Sequence, residues 1–279
     1  MKIKYYGTAA AEGIPGLFCS CEICETARKL GGKNIRTRSS TVINNELMID
    51  FSADTYLHVL NYGLDLRKIK ACLITHGHDD HVYPYDFYYR GYGYAYFMNE
   101  EEKKPLQIYS TKNSANELLP IVSSMNKRDE KALCWNEIKP FEEYEIFGYK
   151  VTPLKADHAK DLDPVFFIIE KDGKVILYAH DTGYFLEETW EYIEKSNKKF
   201  DFVSLDCTSI LNEKAYTNHM GIKACCDVKE RLLKKNADEK TVFCLHHFSH
   251  NGKLNYDDLV SEAEKFGFSV SYDTAEFEI

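Results

Sequence analysis

The segment 75–81, with the sequence THGHDDH, constrains this chain more than any other stretch. It contains three histidines and two aspartates within seven residues. The preceding run 69–74 is apolar at most positions and predicts a short buried strand. A strand that ends at a polar cluster brings that cluster to the edge of a sheet, where active sites are usually built.

The side chains of this segment are spaced for metal binding rather than for a solvated loop. His76 and His78 lie two residues apart, so on extended backbone they point the same way. Asp80 and His81 follow a turn of the chain and can face a second ion. Imidazole and carboxylate ligands suit zinc, manganese or iron. We therefore expect this one loop to contribute ligands to two adjacent ions.

The length and charge of the chain limit the classes of protein to which it can belong. Its 279 residues, 44% of them hydrophobic, contain no linker rich in Pro, Gly or Ser and predict one domain over 1–279. The net charge of −9 argues against an extended nucleic-acid partner. Residues 1–6 predict a strand rather than a signal peptide, and no apolar run has membrane-spanning length. We therefore expect a cytoplasmic protein without a membrane partner.

The cysteines indicate a second metal site. There are nine of them, an odd number without a disulfide-like layout. Cys19, Cys21 and Cys24 can hold three corners of a tetrahedral zinc, with the fourth ligand supplied from elsewhere. Three free core cysteines are the alternative interpretation. The zinc interpretation makes the stretch at about 16–26 a zinc-binding loop.

Hydrophobic patterning predicts an α/β chain with two successive groups of strands and helices. The predicted strands are 2–6, 41–43, 47–50, 69–74, 107–110, 144–154, 165–170, 175–179, 202–205, 242–245 and 268–272. The predicted helices are 25–33, 53–62, 115–125, 186–195, 221–235 and 256–266. This order predicts two sheets packed together with helices outside.

A histidine or an aspartate follows a predicted buried strand in four places, at His76, His158, Asp181 and His247. If these strands are neighbours, the four side chains meet at one rim. The predicted ligands divide into His76, His78 and His158 for one ion, Asp80, His81 and His247 for the other, and Asp181 as the bridge. Ions bridged in this way lie ~3.5–4 Å apart and can bind a hydroxide between them.

This set resembles the metallo-β-lactamase superfamily, whose signature H-x-H-x-D-H stands here at 76–81. His158, Asp181 and His247 match the later ligands of that superfamily. The resemblance implies an αββα four-layer sandwich with the metals at one edge of the two sheets. Asp50 resembles the aspartate that orients a metal-binding histidine in these proteins.

Two further features resemble the phosphoribosyl cyclic phosphodiesterase branch and its ribonuclease Z-like relatives. The three cysteines with His250 resemble the separate structural zinc of the cyclic phosphodiesterases. His246 is a rival fourth ligand, but it alternates with His247 and should point away. His219, in an Asn-His-Met-Gly segment before a helix, resembles the histidine that both groups place near the substrate phosphate. It would hold a phosphate oxygen or protonate the leaving oxygen.

The resemblance implies a metal-dependent phosphodiesterase that uses a metal-bridged hydroxide, with Asp80 and His219 as catalytic residues. The implied cofactors are two divalent ions (manganese, zinc or iron) and one structural zinc. A thioester or lactone hydrolase of the glyoxalase or lactamase kind shares the seven ligands, and a ribonuclease Z-like nuclease is the other alternative. The acidic charge favours a small phosphodiester substrate over transfer RNA.

The stretch at about 84–104 is an insertion rich in tyrosine and glycine. Because it directly follows the metal ligands, it predicts a substrate wall or lid, with Tyr85, Tyr88 and Tyr89 as substrate contacts. Tyrosine is also enriched at interfaces, so a homodimer surface or local packing is an equal alternative.

Overall fold

Two seven-stranded sheets form the centre of the protein. A computed structural model describes residues 1–91, 93–127 and 132–279. The strands of the first sheet are β1 (Lys2–Gly7), β2 (Ser40–Ile43), β3 (Leu47–Ile49), β4 (Ala71–Leu73), β5 (Leu106–Ser110), β6 (Leu133–Glu137) and β14 (Glu276–Glu278). Those of the second are β7 (Tyr144–Ile146), β8 (Tyr149–Lys155), β9 (Val165–Lys171), β10 (Lys174–Ala179), β11 (Phe202–Asp206), β12 (Val242–His246) and β13 (Ser269–Val270).

Helices cover the outer faces of both sheets. The α-helices are α1 (Glu22–Leu30), α2 (Thr55–Tyr62), α3 (Glu100–Lys103), α4 (Leu118–Asn126), α5 (Glu187–Ser196), α6 (Ile222–Leu233) and α7 (Tyr256–Glu264). Short 3-10 helices occupy Gly32–Asn34, Pro84–Arg90, Asn113–Ala115, Lys160–Leu162 and His250–Gly252. No helix in the described part of the chain is both long and apolar enough to span a membrane.

The strand order is β14-β1-β2-β3-β4-β5-β6 in one sheet and β13-β12-β11-β10-β9-β8-β7 in the other. Strands β3 to β6 are parallel, as are β10 to β13. In β9 and β10 neighbouring apolar residues alternate between two cores. Phe167 and Ile176 face the core between the sheets, whereas Phe166 and Leu177 face a second core that includes helix residues. Because both faces are covered, these strands are apolar throughout.

This arrangement confirms the predicted αββα sandwich. The predicted strand 144–154 is instead a hairpin, because Phe147 and Gly148 both have positive φ and form a turn between β7 and β8. Strands β6 and β14 had no counterpart among the predicted strands. The predicted helix at 115–125 begins at Leu118, after a 3-10 turn.

Candidate metal centre and active site

The candidate centre lies where several strands end at the same edge of the sandwich. Residues just after β3, β4, β8, β10 and β12, and the last residue of β11, contribute to it. Asp50, Asp181 and His247 have φ values of +62°, +49° and +61°. Residues other than glycine rarely adopt this left-handed conformation, and where they do it often marks a functional site.

The first group of predicted ligands is His76, His78 and His158. Nε2 of His76 lies 2.8 Å from Nδ1 of His78, and Nε2 of His158 lies 3.4 Å from the same atom. His158 Nε2 is also 3.7 Å from Oδ1 of Asp181. Burial lowers the pKa of His76 and of His158, so both rings are held neutral. Neutral imidazole is the form that binds a metal.

The second group is Asp80, His81 and His247, and Asp181 reaches it as well. His81 Nε2 lies 3.2 Å from Oδ2 of Asp80 and 2.8 Å from Oδ2 of Asp181. His247 Nε2 lies 3.1 Å from the same oxygen of Asp181. Burial alone would raise the pKa of Asp181, but the neighbouring His247 and His81 hold it well below its usual range. Asp181 is therefore an ionised carboxylate between the two groups.

Three atoms at the middle of this arrangement are buried without a hydrogen-bond partner: His81 Nε2, His247 Nε2 and Asp181 Oδ2. They lie close together but are not aligned for hydrogen bonds. Buried polar atoms are nearly always satisfied, so the three indicate a ligand between them. Nitrogen and carboxylate donors are those of a divalent transition-metal site. The residues present therefore fit a pair of divalent ions.

Asp50 sits behind His81, as the resemblance implies. Its Oδ2 accepts a hydrogen bond from His81 Nδ1 at 2.7 Å, and its Oδ1 accepts the backbone N–H of Thr75 at 2.8 Å. Because Nδ1 of His81 is occupied in this way, Nε2 is left as the nitrogen that faces the centre. Carboxylate and backbone together fix the ring in that orientation.

His219 joins the same edge, held by a residue that the sequence did not single out. Asp206 Oδ2 lies 2.9 Å from His219 Nδ1, and Asp206 also accepts backbone N–H bonds from Asp181 and Thr208. Burial alone would lower the pKa of His219, but the Asp206 carboxylate raises it to about 9. His219 keeps 28% of its side chain exposed. It is therefore a cationic group, partly exposed to solvent, beside the candidate metal ligands.

Two other features hold this part of the site. Thr208 Oγ1 lies 2.8 Å from His247 Nδ1, which orients the ring of that predicted ligand. A Cβ on Gly183 would lie 2.5 Å from the carbonyl oxygen of Tyr216, so only glycine lets the loop after Asp181 approach the segment that carries His219. Asp206 ends a buried strand, just as Asp181 follows one. The position of an aspartate at a strand end, which pointed to Asp181, was therefore also visible in the sequence for Asp206.

The three cysteines meet His250 as predicted. Nδ1 of His250 lies 3.2 Å from Sγ of Cys19, 3.2 Å from Sγ of Cys21 and 3.5 Å from Sγ of Cys24. Burial raises the pKa of Cys21, but its hydrogen bond with His250 outweighs this and brings the pKa to about 6. A thiolate at neutral pH and a four-donor set fit a tetrahedral zinc.

Two neighbours of this cluster complete the description. Glu12, which the sequence did not indicate, places Oε1 3.4 Å from Nε2 of His250 and 2.5 Å from the hydroxyl of Ser249. His246 turns away, because its nitrogens lie 3.2 Å from the hydroxyl of Ser39 and 2.9 Å from that of Ser271.

The structure places the three predicted substrate tyrosines in different surroundings. Tyr85 is exposed and lines a cavity together with Gly77 and Asp79 of the segment 75–81. Tyr89 is exposed in an adjoining cavity, whereas Tyr88 packs against the core beneath the 3-10 helix Pro84–Arg90. Their role in substrate binding stays a prediction. Tyr92, in the same insertion, lies outside the described residues.

Residues 48–248 match the family model described as a beta-lactamase superfamily domain. This match spans most of the chain and includes all seven predicted catalytic-metal ligands. The chain therefore belongs to this superfamily, and its site is that of a metal-dependent hydrolase fold.

Individual relatives are distant. Coenzyme PQQ synthesis protein B of Bradyrhizobium diazoefficiens is 23% identical over 145 residues, which are 46% of this chain and 43% of that protein. The chain thus matches less than half of that relative's length.

Among the solved structures that share the fold over the whole chain are a PqqB and a diphosphatase. Zinc-bound PqqB from Methylobacterium extorquens has a TM-score of 0.74 at 18% identity, with 100% of each chain covered. A diphosphatase from the PhnP family has a TM-score of 0.71 at 18% identity, covering 100% of this chain and 98% of the other. The predicted metallo-β-lactamase membership is confirmed.

Proposed function

We propose that this protein hydrolyses a small phosphodiester with the aid of two divalent ions. The ions would be held by His76, His78 and His158 on one side, by Asp80, His81 and His247 on the other, and by Asp181 between them. When bound, such a pair supplies Lewis acidity toward phosphoryl oxygens and an activated water near neutral pH. Manganese, zinc or iron suits these donors.

The ion pair between His219 and Asp206 is the observation that favours a phosphodiester. His219 Nδ1 is 2.9 Å from the Asp206 carboxylate and 3.8 Å from Oδ1 of Asp181. A cationic imidazole at this position can bind an anionic phosphate oxygen and donate a proton to the leaving alkoxide. The carbonyl of a thioester is uncharged, and its thiolate leaves without that proton.

Asp80 acts in this proposal as an ionised group at the reacting centre. Burial alone would raise its pKa, but His81 at 3.2 Å lowers it well below the usual range. A carboxyl held ionised cannot donate a proton, so the acid role falls to His219. Asp80 instead supplies a negatively charged oxygen for the ion that it would hold together with His81 and His247.

The cluster of three cysteines and His250 supports folding in this proposal. Four protein donors leave no open position for a substrate, which is the pattern of structural zinc sites. The cluster joins the N-terminal loop to the segment 247–250, because the cysteines of that loop meet His250. The backbone N–H of Ala10 also donates a hydrogen bond to the carbonyl of Phe248 at 3.0 Å. Replacement of Cys21 should reduce stability and solubility before it reduces activity.

The experiment is a substrate panel on protein loaded separately with manganese, zinc and iron. Bis(p-nitrophenyl) phosphate and a 2′,3′-cyclic nucleotide represent the phosphodiesters, and a glutathione thioester and a lactone represent the alternatives. We expect phosphodiester turnover, its loss in Asp181→Asn, and its retention in the surface control Glu145→Gln. Faster turnover of the thioester or the lactone than of either phosphodiester would overturn the proposal.

A further inference from the structure

Two adjoining cavities lie beside the 3-10 helix Pro84–Arg90, and one of them reaches the segment 75–81. The near cavity, of about 430 Å³, has Arg38, Gly77, Asp79, Tyr85 and Glu117 in its wall. The far cavity, of about 670 Å³, has Phe51, Tyr56, Val59, Leu66, Asp86 and Tyr89. Ala53 and Tyr83 line both cavities, so the two adjoin.

The near cavity begins at the predicted metal ligands. Gly77 and Asp79 flank His78, which is the exposed member of its ligand group. A substrate whose phosphate reaches His78 therefore has the near cavity beside it. Volumes of this size are those of sites for small molecules.

The chemical character changes along this path. The wall of the near cavity mixes charged and apolar side chains, whereas the far cavity is walled mainly by aromatic and aliphatic side chains. Tyr56 and Tyr89 expose 66% and 61% of their surface there, and Val59 and Leu66 lie half-buried behind. Exposed aromatic rings over an apolar wall are a surface that a flat or aliphatic group would cover favourably.

The charges along the path disfavour a second anion. Asp79 and Glu117 line the near cavity and Asp86 the far one. Arg38, which also lines the near cavity, already pairs with Asp54 at 3.0 Å and donates Nε–H to the carbonyl of Ala11 at 2.9 Å. A ligand that carried a further phosphate or carboxylate into the far cavity would pass Asp79 and Glu117 and then meet Asp86, and none of the described residues that line the far cavity is basic.

We infer that the near and far cavities form one groove that binds an uncharged aromatic or aliphatic ester group of the substrate. This inference rests on the proposed phosphodiesterase function and names the class of substrate. An oligonucleotide, which carries a phosphate at every residue, does not match the groove.

The test uses three p-nitrophenyl phosphodiesters whose second ester group is methyl, 2-naphthyl or 6-carboxy-2-naphthyl. Water attacks phosphorus, the bond to p-nitrophenolate breaks, and the phosphate monoester of the second group remains, so absorbance reports all three reactions. We expect kcat/KM of the naphthyl ester to exceed that of the methyl ester by about tenfold or more. The carboxynaphthyl ester should lose most of that advantage.

The variant Tyr56→Ala/Tyr89→Ala should reduce the naphthyl-to-methyl ratio of kcat/KM by about tenfold, because KM of the naphthyl ester rises more than KM of the methyl ester. Both positions are exposed, so the fold should be kept. Tyr96→Ala is the matched control, because Tyr96 is 78% exposed and lies outside the lining of both cavities. This control should keep the wild-type ratio.

The outcomes separate the two claims. Turnover of all esters at similar rates would contradict the inferred binding groove but not the proposed phosphodiesterase function. The same holds for a preference for the naphthyl ester that the double variant keeps. A carboxynaphthyl ester that is preferred over the naphthyl ester would also overturn the groove. No turnover of any ester by fully metal-loaded protein would overturn the proposed function and the groove together.

Discussion

Glu46 should stabilise the sandwich at the end opposite the candidate metal centre, without affecting that centre. It lies in the turn before β3, whereas Asp50 follows the other end of that strand. Its carboxylate lies 2.8 Å from Nζ of Lys171 in the second sheet and 2.7 Å from Nζ of Lys70, and it accepts the hydroxyl of Tyr149 at 2.9 Å. One carboxylate thus ties the two sheets together.

The size of this stabilisation follows from the pKa of Glu46. Burial alone would raise that pKa, but the bonds from Lys171 and Lys70 lower it from 4.5 to about 2. Linkage converts such a difference into at most about 3.4 kcal/mol of stability at pH 7. Lys70 is half exposed and screened by solvent, so we expect about 1–2 kcal/mol to be lost in Glu46→Gln.

The assay is urea unfolding of the wild type and of Glu46→Gln at pH 7 and pH 4, all in chelator so that bound metal does not vary. Because the pKa of Glu46 is lower in the folded protein, its carboxylate stabilises the fold fully at pH values above the unfolded pKa of 4.5. This stabilisation is lost as the pH falls toward the folded pKa of about 2. The difference between the two proteins should therefore shrink by about 0.5–1 kcal/mol at pH 4. Glu145→Gln, on the exposed surface of β7, is the matched control.

Two results would refute this reasoning. A difference below about 0.3 kcal/mol at pH 7 would mean that the ion pairs contribute nothing beyond ordinary surface pairs. A difference that stays the same at pH 4 would mean that the effect of the substitution does not come from the charge of Glu46.

Three further predictions concern the metal clusters and His219. Asp80→Ala and His158→Ala should each lower kcat by about a thousandfold or more while circular dichroism stays native, and near-wild-type turnover would contradict the two-ion arrangement. Glu12→Gln should lose zinc to a chromogenic chelator about 10–100 times more readily, because Glu12 orients His250; the exposed Glu22→Gln should not. His219→Gln should reduce turnover of an alkyl phosphodiester by about 10²–10⁴ but that of a nitrophenyl ester, whose leaving group needs no proton, by less than about tenfold. Equal losses on both esters would rule out proton donation.

The sequence allowed the fold and most of the candidate site to be predicted because the signals were local. Apolar runs that end in His or Asp marked the strand ends, and parallel strands bring such ends to one edge. The geometry accordingly gathers His158, Asp181 and His247 around the 76–81 segment, although their roles as ligands stay a prediction. The hairpin at 144–154 was not recognised because its turn, Phe147-Gly148, interrupts the strand pattern by only two residues.

The remaining features depend on contacts distant in sequence. Asp206 ends a strand like the other site residues, but only the structure shows its carboxylate bonded to His219 and to the Asp181 backbone. Glu12 is one charge in a small-residue loop, and its position beside His250 depends on how that loop crosses the segment 247–250. Strand β14 consists of three residues, too few for a periodic pattern, and is held by pairing with β1.

The metal content of the purified protein tests the central claim most directly. Elemental analysis of the wild type should find about three divalent ions per chain, two in the histidine–aspartate centre and one in the cysteine cluster. The variant Asp181→Ala should keep about one ion per chain, the one in the cysteine cluster. Adding Cys21→Ser to that variant should remove this last ion. About one ion in the wild type, unchanged by Asp181→Ala, would contradict a two-ion hydrolytic centre.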